Sequence, residues 1–251
     1  MKKTILQHFS LQFEPQIDSA ELNCSVMRRK YQTDPTHLFR VPSNVRLIVL
    51  KACGGGSAGC LPDTENKLSG CGGNAGLTVK KTVAVEPGQV LEIRIGRGGH
   101  FVSQTKQPSL TSLQIAQGVY KCVEPEATLI VDAQQQNLLL TAAGGAGFSG
   151  GRCIAESLRS ESGMAAQQNA GTGFCNADNK WIGYGGGGGG GMGGGLGGSV
   201  YSNGKTTRAS DADSFTGSGG GGSALVLKEQ NVKHFLPGDG ASGFVTLLYQ
   251  L

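Results

Sequence analysis

The stretch that decides the reading is Gly183 to Gly198, GYGGGGGGGMGGGLGG, in which only Tyr184, Met192 and Leu196 carry side chains. A run of this kind is ordinarily a flexible linker, because glycine populates both signs of φ and loses more backbone entropy on ordering than any other residue. Fixing its backbone costs on the order of 16 to 32 kcal/mol, at about 1 to 2 kcal/mol per residue, with no side-chain core to offset it. Shorter glycine-rich pieces recur, however, at 54–59, 70–76, 96–99, 144–151, 163–173, 217–222 and 238–243. Linkers do not recur in this way. Extended helices with three residues per turn have no internal hydrogen bonds, and without side chains between them they can pack side by side and bond to one another. The run is therefore expected to belong to a bundle of polyglycine II helices, with Gly185, Gly188, Gly191, Gly194 and Gly197 as its structural glycine core.

Composition agrees with a folded chain. There are 43 glycines in 251 residues, without the strict triplet period and abundant proline of collagen, and a hydrophobic fraction of 38% argues against a disordered low-complexity protein. The net charge of +4 is dispersed, so no nucleic-acid partner is expected. Arg28, Arg29 and Lys30 form the longest basic cluster and read as a solvated turn. The opening MKKTILQHFS lacks the apolar core of a secretory signal, and no stretch has the length of a membrane-spanning helix, so membrane insertion is not expected. Seven cysteines, none in C-x2-C spacing, read as small buried thiols of a protein that folds in a reducing compartment.

Taken in order, residues 1–32 form a distinct segment. Its alternation over Ile5 to Phe13 is strand-like and closes at Pro15, and Leu22 to Met27 reads as a second strand. This segment would either add strands to the body or attach to a partner subunit. From residue 33 to 251 the repeating unit is strand, glycine run, strand. Val45 to Ala52 runs into CGGGSAGC. Leu77 to Val85 is joined to Val90 to Ile95 by the Glu86-Pro87-Gly88-Gln89 turn, the second strand expected as a hairpin partner of the first. Thr128 to Val131 and Leu138 to Ala143 follow, and Gly243 to Leu248 is the final strand. Ser109 to Ile115 and Lys121 to Val123 read as further short strands, and Arg152 to Ala166 as partly helical. Asn169 to Tyr184, Ser199 to Phe215 and the surroundings of Pro237 to Gly240 read as loops.

The pieces VPSNVRLIVLKACGGG, GLTVKKTVAVEPGQVLEIRIGRGG, LLLTAAGGAG and GDGASGFVTLLY, in that order around the glycine core, resemble the glycine-rich domains of bacteriophage tail fibres and related bacterial surface proteins. The resemblance covers Thr33 to Leu251. It implies a mainly β protein, a jelly-roll-like β-sandwich carrying a bundle of polyglycine II helices. A similar arrangement is known in the glycine-rich ectodomain of the anaplastic lymphoma kinase receptor. Pro62 to Ser69 and Val119 to Asp132 read as insertions relative to that pattern.

No catalytic constellation stands out. Ser199 to Thr206 nearly fits a phosphate-binding loop, but polyglycine precedes it where a buried strand is required. His8, His37, His100 and His234 are scattered, and Asp211 with Asp213 supply too few oxygens for a calcium ion. Neither a metal nor another cofactor is expected. The scarce aromatic residues flanking the long run, Phe174, Trp181, Tyr184 and Tyr201, are the candidates for recognition, since large rigid side chains on ordered loops suit protein or glycan surfaces. The alternative role for them is to cap the bundle and shield its backbone.

The expected function is a non-enzymatic structural or receptor-binding component of a phage tail fibre or similar virion appendage. It would fold in the bacterial cytoplasm, join other virion subunits through residues 1–32, meet a cell-surface receptor, and assemble as a trimer or as the cap of one. The rival is a bacterial protein-binding module, intracellular or secreted without a Sec signal. Removal of residues 1–32 separates the two: an appendage subunit loses assembly but stays folded, whereas an independent binder keeps its ligand.

Overall fold

Alternation of aliphatic and polar residues dictates strands, and the computed structural model shows fifteen of them and no helix among the residues it describes. These are residues 4–10, 13–16, 28–31, 36–63, 69–103, 120–145, 174–175, 182–184, 188–199, 207–214, 216–227 and 236–250. The protein is mainly β. In chain order the strands are β1 (Thr4–Ser10), β2 (Phe13–Gln16), β3 (Arg28–Tyr31), β4 (Thr36–Arg40), β5 (Leu47–Cys53), β6 (Thr78–Ala84), β7 (Val90–Arg94) and β8 (His100–Ser103). They continue with β9 (Tyr120–Val123), β10 (Thr128–Asp132), β11 (Leu138–Ala142), β12 (Phe174–Cys175), β13 (Ile182–Tyr184), β14 (Leu225–Leu227) and β15 (Phe244–Gln250).

Two four-stranded antiparallel sheets, β1-β15-β5-β6 and β11-β10-β7-β4, share one core. In β5 the alternation turns Ile48, Leu50 and Ala52 inward, and in β7 it turns Leu91 and Ile93 inward, all with 0% exposure. Val245 and Leu247 of β15 and Ile130 of β10 complete the interior. A chain of aromatic contacts closes one margin: Phe9 of β1 meets His37 at 5.7 Å and Phe39 at 6.4 Å, and Phe39 meets Tyr249 at 5.7 Å.

The turn at Glu86 to Gln89 forms as its residues dictate, with Gly88 at φ 81° and Gln89 N donating to Glu86 O at 3.0 Å. It is not the tip of a hairpin. β6 pairs along its whole length with β5, and β7 pairs with β4 and β10 in the other sheet, so the turn carries the chain across the sandwich. The crossing is held from both sides. Val85 N bonds back to Arg46 O at the end of one ladder, while Val41 N bonds to Gln89 O at the start of the other.

Several other expectations change. Residues 128–132, at the end of the supposed insertion Val119 to Asp132, are β10, an interior strand of its sheet, because Thr128, Ile130, Val131 and Asp132 are all buried. Pro15 does not end a strand but lies within β2, which among the described residues pairs on one side only, with β3, and so can lose an N–H. Arg28 to Lys30 are not a turn but part of β3, paired with β2. The expected strands Leu22 to Met27 and Ser109 to Ile115 and the helical segment Arg152 to Ala166 lie outside the described residues. β1 adds itself to the free edge of β15, in register from Thr4↔Gln250 to Ser10↔Phe244.

Two buried polar groups fasten this frame. Thr128, 0% exposed, donates its hydroxyl proton to Cys53 O at 2.7 Å and accepts from Gly96 N at 2.9 Å, tying the end of β5 to the chain leaving β7. Thr128→Val is expected to destabilise by about 2 to 3 kcal/mol, since it strands a buried carbonyl and a buried N–H in an isosteric side chain; the urea midpoint measures it. Asp132 accepts from the backbone N–H groups of Gln134 and Gln135 and from the side-chain amide of Gln89. The Gln135 bond first, then that from Gln89, with Gln134 adding to them, hold its carboxyl below its ordinary range. Its contribution is therefore complete above the unfolded carboxylate value of about 3.9 and is lost as pH falls through the lower folded value. Urea midpoints taken from neutral to strongly acid pH should fall more steeply at the acid end for the wild type than for Asp132→Asn.

Candidate functional site

Beyond the ends of β5 and β15 the chain stops forming two-residue ladders and adopts a different order. Residues 216–224 are its axis. Six segments surround them, 54–60, 69–77, 188–190, 194–199, 207–213 and 236–243, and each exchanges backbone hydrogen bonds with the axis and with the next segment round the ring. The carbonyls of Gly217, Gly220 and Ser223 accept from Gly76, Gly73 and Gly70; those of Ser218 and Gly221 accept from Ala241 and Gly238; those of Gly219 and Gly222 accept from Gly195 and Gly198. The N–H groups of Gly220 and Ser223 reach Ser57 and Cys60, that of Gly219 reaches Gly190, and that of Gly221 reaches Ser210. Residues three apart thus face the same neighbour. The ring repeats this spacing, with Gly54, Ser57 and Cys60 donating to Leu77, Asn74 and Cys71, and Thr207, Ser210 and Asp213 donating to Ser199, Leu196 and Gly193.

Close approach explains the glycines. A β-carbon built on Gly219, Gly220, Gly221 or Gly222 would lie far below 3.0 Å from the carbonyls of Gly73, Gly238, Leu196 and Gly70 respectively. Only a hydrogen fits, and it makes a Cα–H···O contact of the roughly 3.3 to 3.6 Å kind. The long run itself is not one pass. At Gly191 to Gly194 it reverses through a type II turn, with Gly193 at φ 82° and Gly194 N donating to Gly191 O at 3.3 Å, so that Gly189 N bonds to Gly195 O. Met192 at the tip is 87% exposed.

The proposed glycine core divides accordingly. Gly188 is buried in the first pass, its carbonyl filling the space a side chain on Gly72 would need. Gly191 and Gly194 bracket the reversal, Gly197 is buried in the second pass, and Gly185 lies outside the described residues. Two stretches read as loops belong to the ring. Residues 207–213 carry small Ala209 and Ala212 buried three positions apart, and residues 236–243 bond to both the axis and 54–60. A search for small residues at every third position, rather than for glycine, finds the first of these.

The lattice has two ends. At one, Gly217 and Gly243 lie against Cys53, where β5 leaves and β15 enters the sandwich. At the other, the axis passes straight into β14, which pairs with β13, and β13 pairs with β12. Asn169 to Tyr184, expected as a loop, therefore contains two strands. Tyr184 stands opposite Leu225 and Phe174 opposite Gly183, so these two candidate residues share one small sheet at the far end. Ser199 and Thr207 are bonded at the same end, bracketing the connection that contains Tyr201. Trp181 and Tyr201 lie outside the described residues.

Ionisable groups here serve the lattice. Asp211 Oδ1 accepts from Asp239 N at 2.8 Å and faces Arg208 at 3.9 Å. Cys53 has its thiol pushed up by burial, and Cys122 is pushed up to about 11 by burial and then by Glu124 and Asp239, so neither is a ready nucleophile. Among the described residues no three histidine, cysteine or acidic side chains gather as a metal site.

An antiparallel β framework carrying a glycine lattice defines the class as a glycine-rich β protein. The family model for the glycine-rich domain matches residues 33–250, and the chain belongs to that family. No curated protein matches the chain in sequence.

Proposed function

We propose that the protein is a non-enzymatic, receptor-binding structural component of a phage tail fibre or similar virion appendage. In this reading the segments, with their three-residue repeat, are polyglycine II helices on a jelly-roll-like sandwich. The carrying observation is the closed ring of six segments around residues 216–224, each joined to the axis and to its neighbours by backbone hydrogen bonds. Such a scaffold holds its far end in place whatever residues the connections there contain, which is the requirement for variable recognition on a fixed frame. Phe174, Trp181, Tyr184 and Tyr201 supply the contact surface toward a protein or glycan receptor, and residues 1–32, whose β1 is itself the edge strand of a sandwich sheet, join neighbouring subunits.

The test is retention of fluorescently labelled full-length protein on a panel of bacterial strains, compared with Trp181→Ala/Tyr201→Ala. At least one strain should retain the wild type, and the double variant should bind it roughly tenfold or more weakly at unchanged Tm, as loss of aromatic anchors does. Equal retention of the variant, or retention on no strain, overturns the reading.

A further inference from the structure

Two ring segments meet at the far end through a pair of cysteines. Cys60 N donates to Cys71 O at 2.8 Å, and Cys71 N donates to Cys60 Sγ at 2.6 Å. The first bond keeps the two Cα atoms within about 7 Å, the outer reach of a disulfide, and the second already draws one sulfur onto the other residue. Their register is not free to drift. Gly54 and Ser57 hold the same pair of segments together through Leu77 and Asn74, while Ser223 of the axis bonds to Cys60 O and accepts from Gly70 N. Both cysteines are reduced and partly exposed, whereas Cys53 is buried.

We propose that Cys60 and Cys71 form a dithiol that oxidises to a disulfide outside a reducing compartment, closing residues 61–70 into a loop and stapling two ring segments at the recognition end. Cys60, partly exposed, is the attacking sulfur in the exchange. Its thiolate attacks one sulfur of a small-molecule disulfide such as glutathione disulfide, and the first glutathione leaves as thiolate and takes up the proton Cys60 gave to solvent. Cys71 then loses its proton and attacks the Cys60 sulfur of the mixed disulfide. The second glutathione departs and is protonated in turn. Two protein thiols are oxidised by two electrons, and one small disulfide is reduced to two thiols. The step does not depend on the receptor reading, and either can fail while the other stands.

The full-length protein is equilibrated in glutathione buffers of increasing oxidised fraction, its remaining thiols are alkylated, and tryptic peptides are mapped by fragmentation mass spectrometry, which distinguishes Cys53 from Cys60 within their shared peptide 52–67. Cleavage after Lys67 separates the two cysteines. Expected is a cross-linked pair of peptides joined between Cys60 and Cys71, about 2 Da lighter than their sum. It should appear at a lower oxidised fraction than any product of Cys53 or Cys122. Oxidation should raise Tm by roughly 5 to 10 °C, reversibly with dithiothreitol. Cys60→Ser and Cys71→Ser should each lose both the cross-link and the shift. Separate alkylation of both cysteines in the most oxidising buffer overturns the proposal, as does a glutathione adduct on Cys60 that Cys71 never resolves. Pairing of either cysteine with a different one does so too.

Discussion

Gly219→Ala should cost more than about 4 kcal/mol, enough to leave the protein largely unfolded or insoluble, although it adds a single methyl group. The methyl would be placed on the carbonyl of Gly73, a backbone atom that cannot rotate away. Moving Gly73 aside breaks its own bond to Gly220, and moving the axis breaks the bonds of Gly219 to Gly190 and Gly195. Because six segments enclose the axis, relief in one direction creates overlap in another. Gly88→Ala is the control. That glycine has φ 81° and nothing within 4 Å of the added carbon, so only the backbone strain of about 1 to 2 kcal/mol is expected. Thermal and urea unfolding of both variants decide the matter. A Gly219→Ala protein within about 1 kcal/mol of wild type would mean that the axis is not close-packed.

Leu50→Ala should lower stability by about 3 to 4 kcal/mol, in the range of fully buried leucines whose surroundings cannot collapse. Leu50 has 0% exposure, sits in the middle of β5, and lies opposite Leu247 of β15, where both neighbours are fixed by long ladders. Leu38→Ala, in the other sheet, removes the same group from a residue that is 69% exposed and should change stability by no more than about 0.5 kcal/mol. The pair separates burial from strand propensity. If the two substitutions cost the same, the assignment of β5 to the sandwich interior fails.

Much of the framework was readable from residue order. Strands near Val45 to Ala52, Leu77 to Val85, Val90 to Ile95, Leu138 to Ala143 and Gly243 to Leu248 were expected and are present with small shifts at their ends. The turn at Glu86 to Gln89 was equally legible, because proline and glycine each demand a particular φ. Its consequence was not. Nothing in those four residues says whether the returning strand pairs with its predecessor or crosses to another sheet; the ladders to Arg46 on one side and Val41 on the other decide it. The bonding roles of Thr128 and Gln89 were not legible either, since a threonine and a glutamine carry no signal until the carbonyl, amide and carboxylate they join are brought beside them.

The sequence alone determined that the protein alternates strands with stretches lacking side chains, and that those stretches recur too often to be linkers. It also set where the backbone could come close, because each missing β-carbon is a local property of one residue. Only the tertiary structure decided that 216–224 rather than the longest run is the axis, and that the longest run folds back at Met192. It likewise decided that Thr207 to Asp213 joins the ring without a glycine, and that Cys60 stands beside Cys71. The reason is that glycine segments are chemically alike. With no side chains to distinguish one neighbour from another, their order around the ring is imposed by the strands at one end and by the connections at the other.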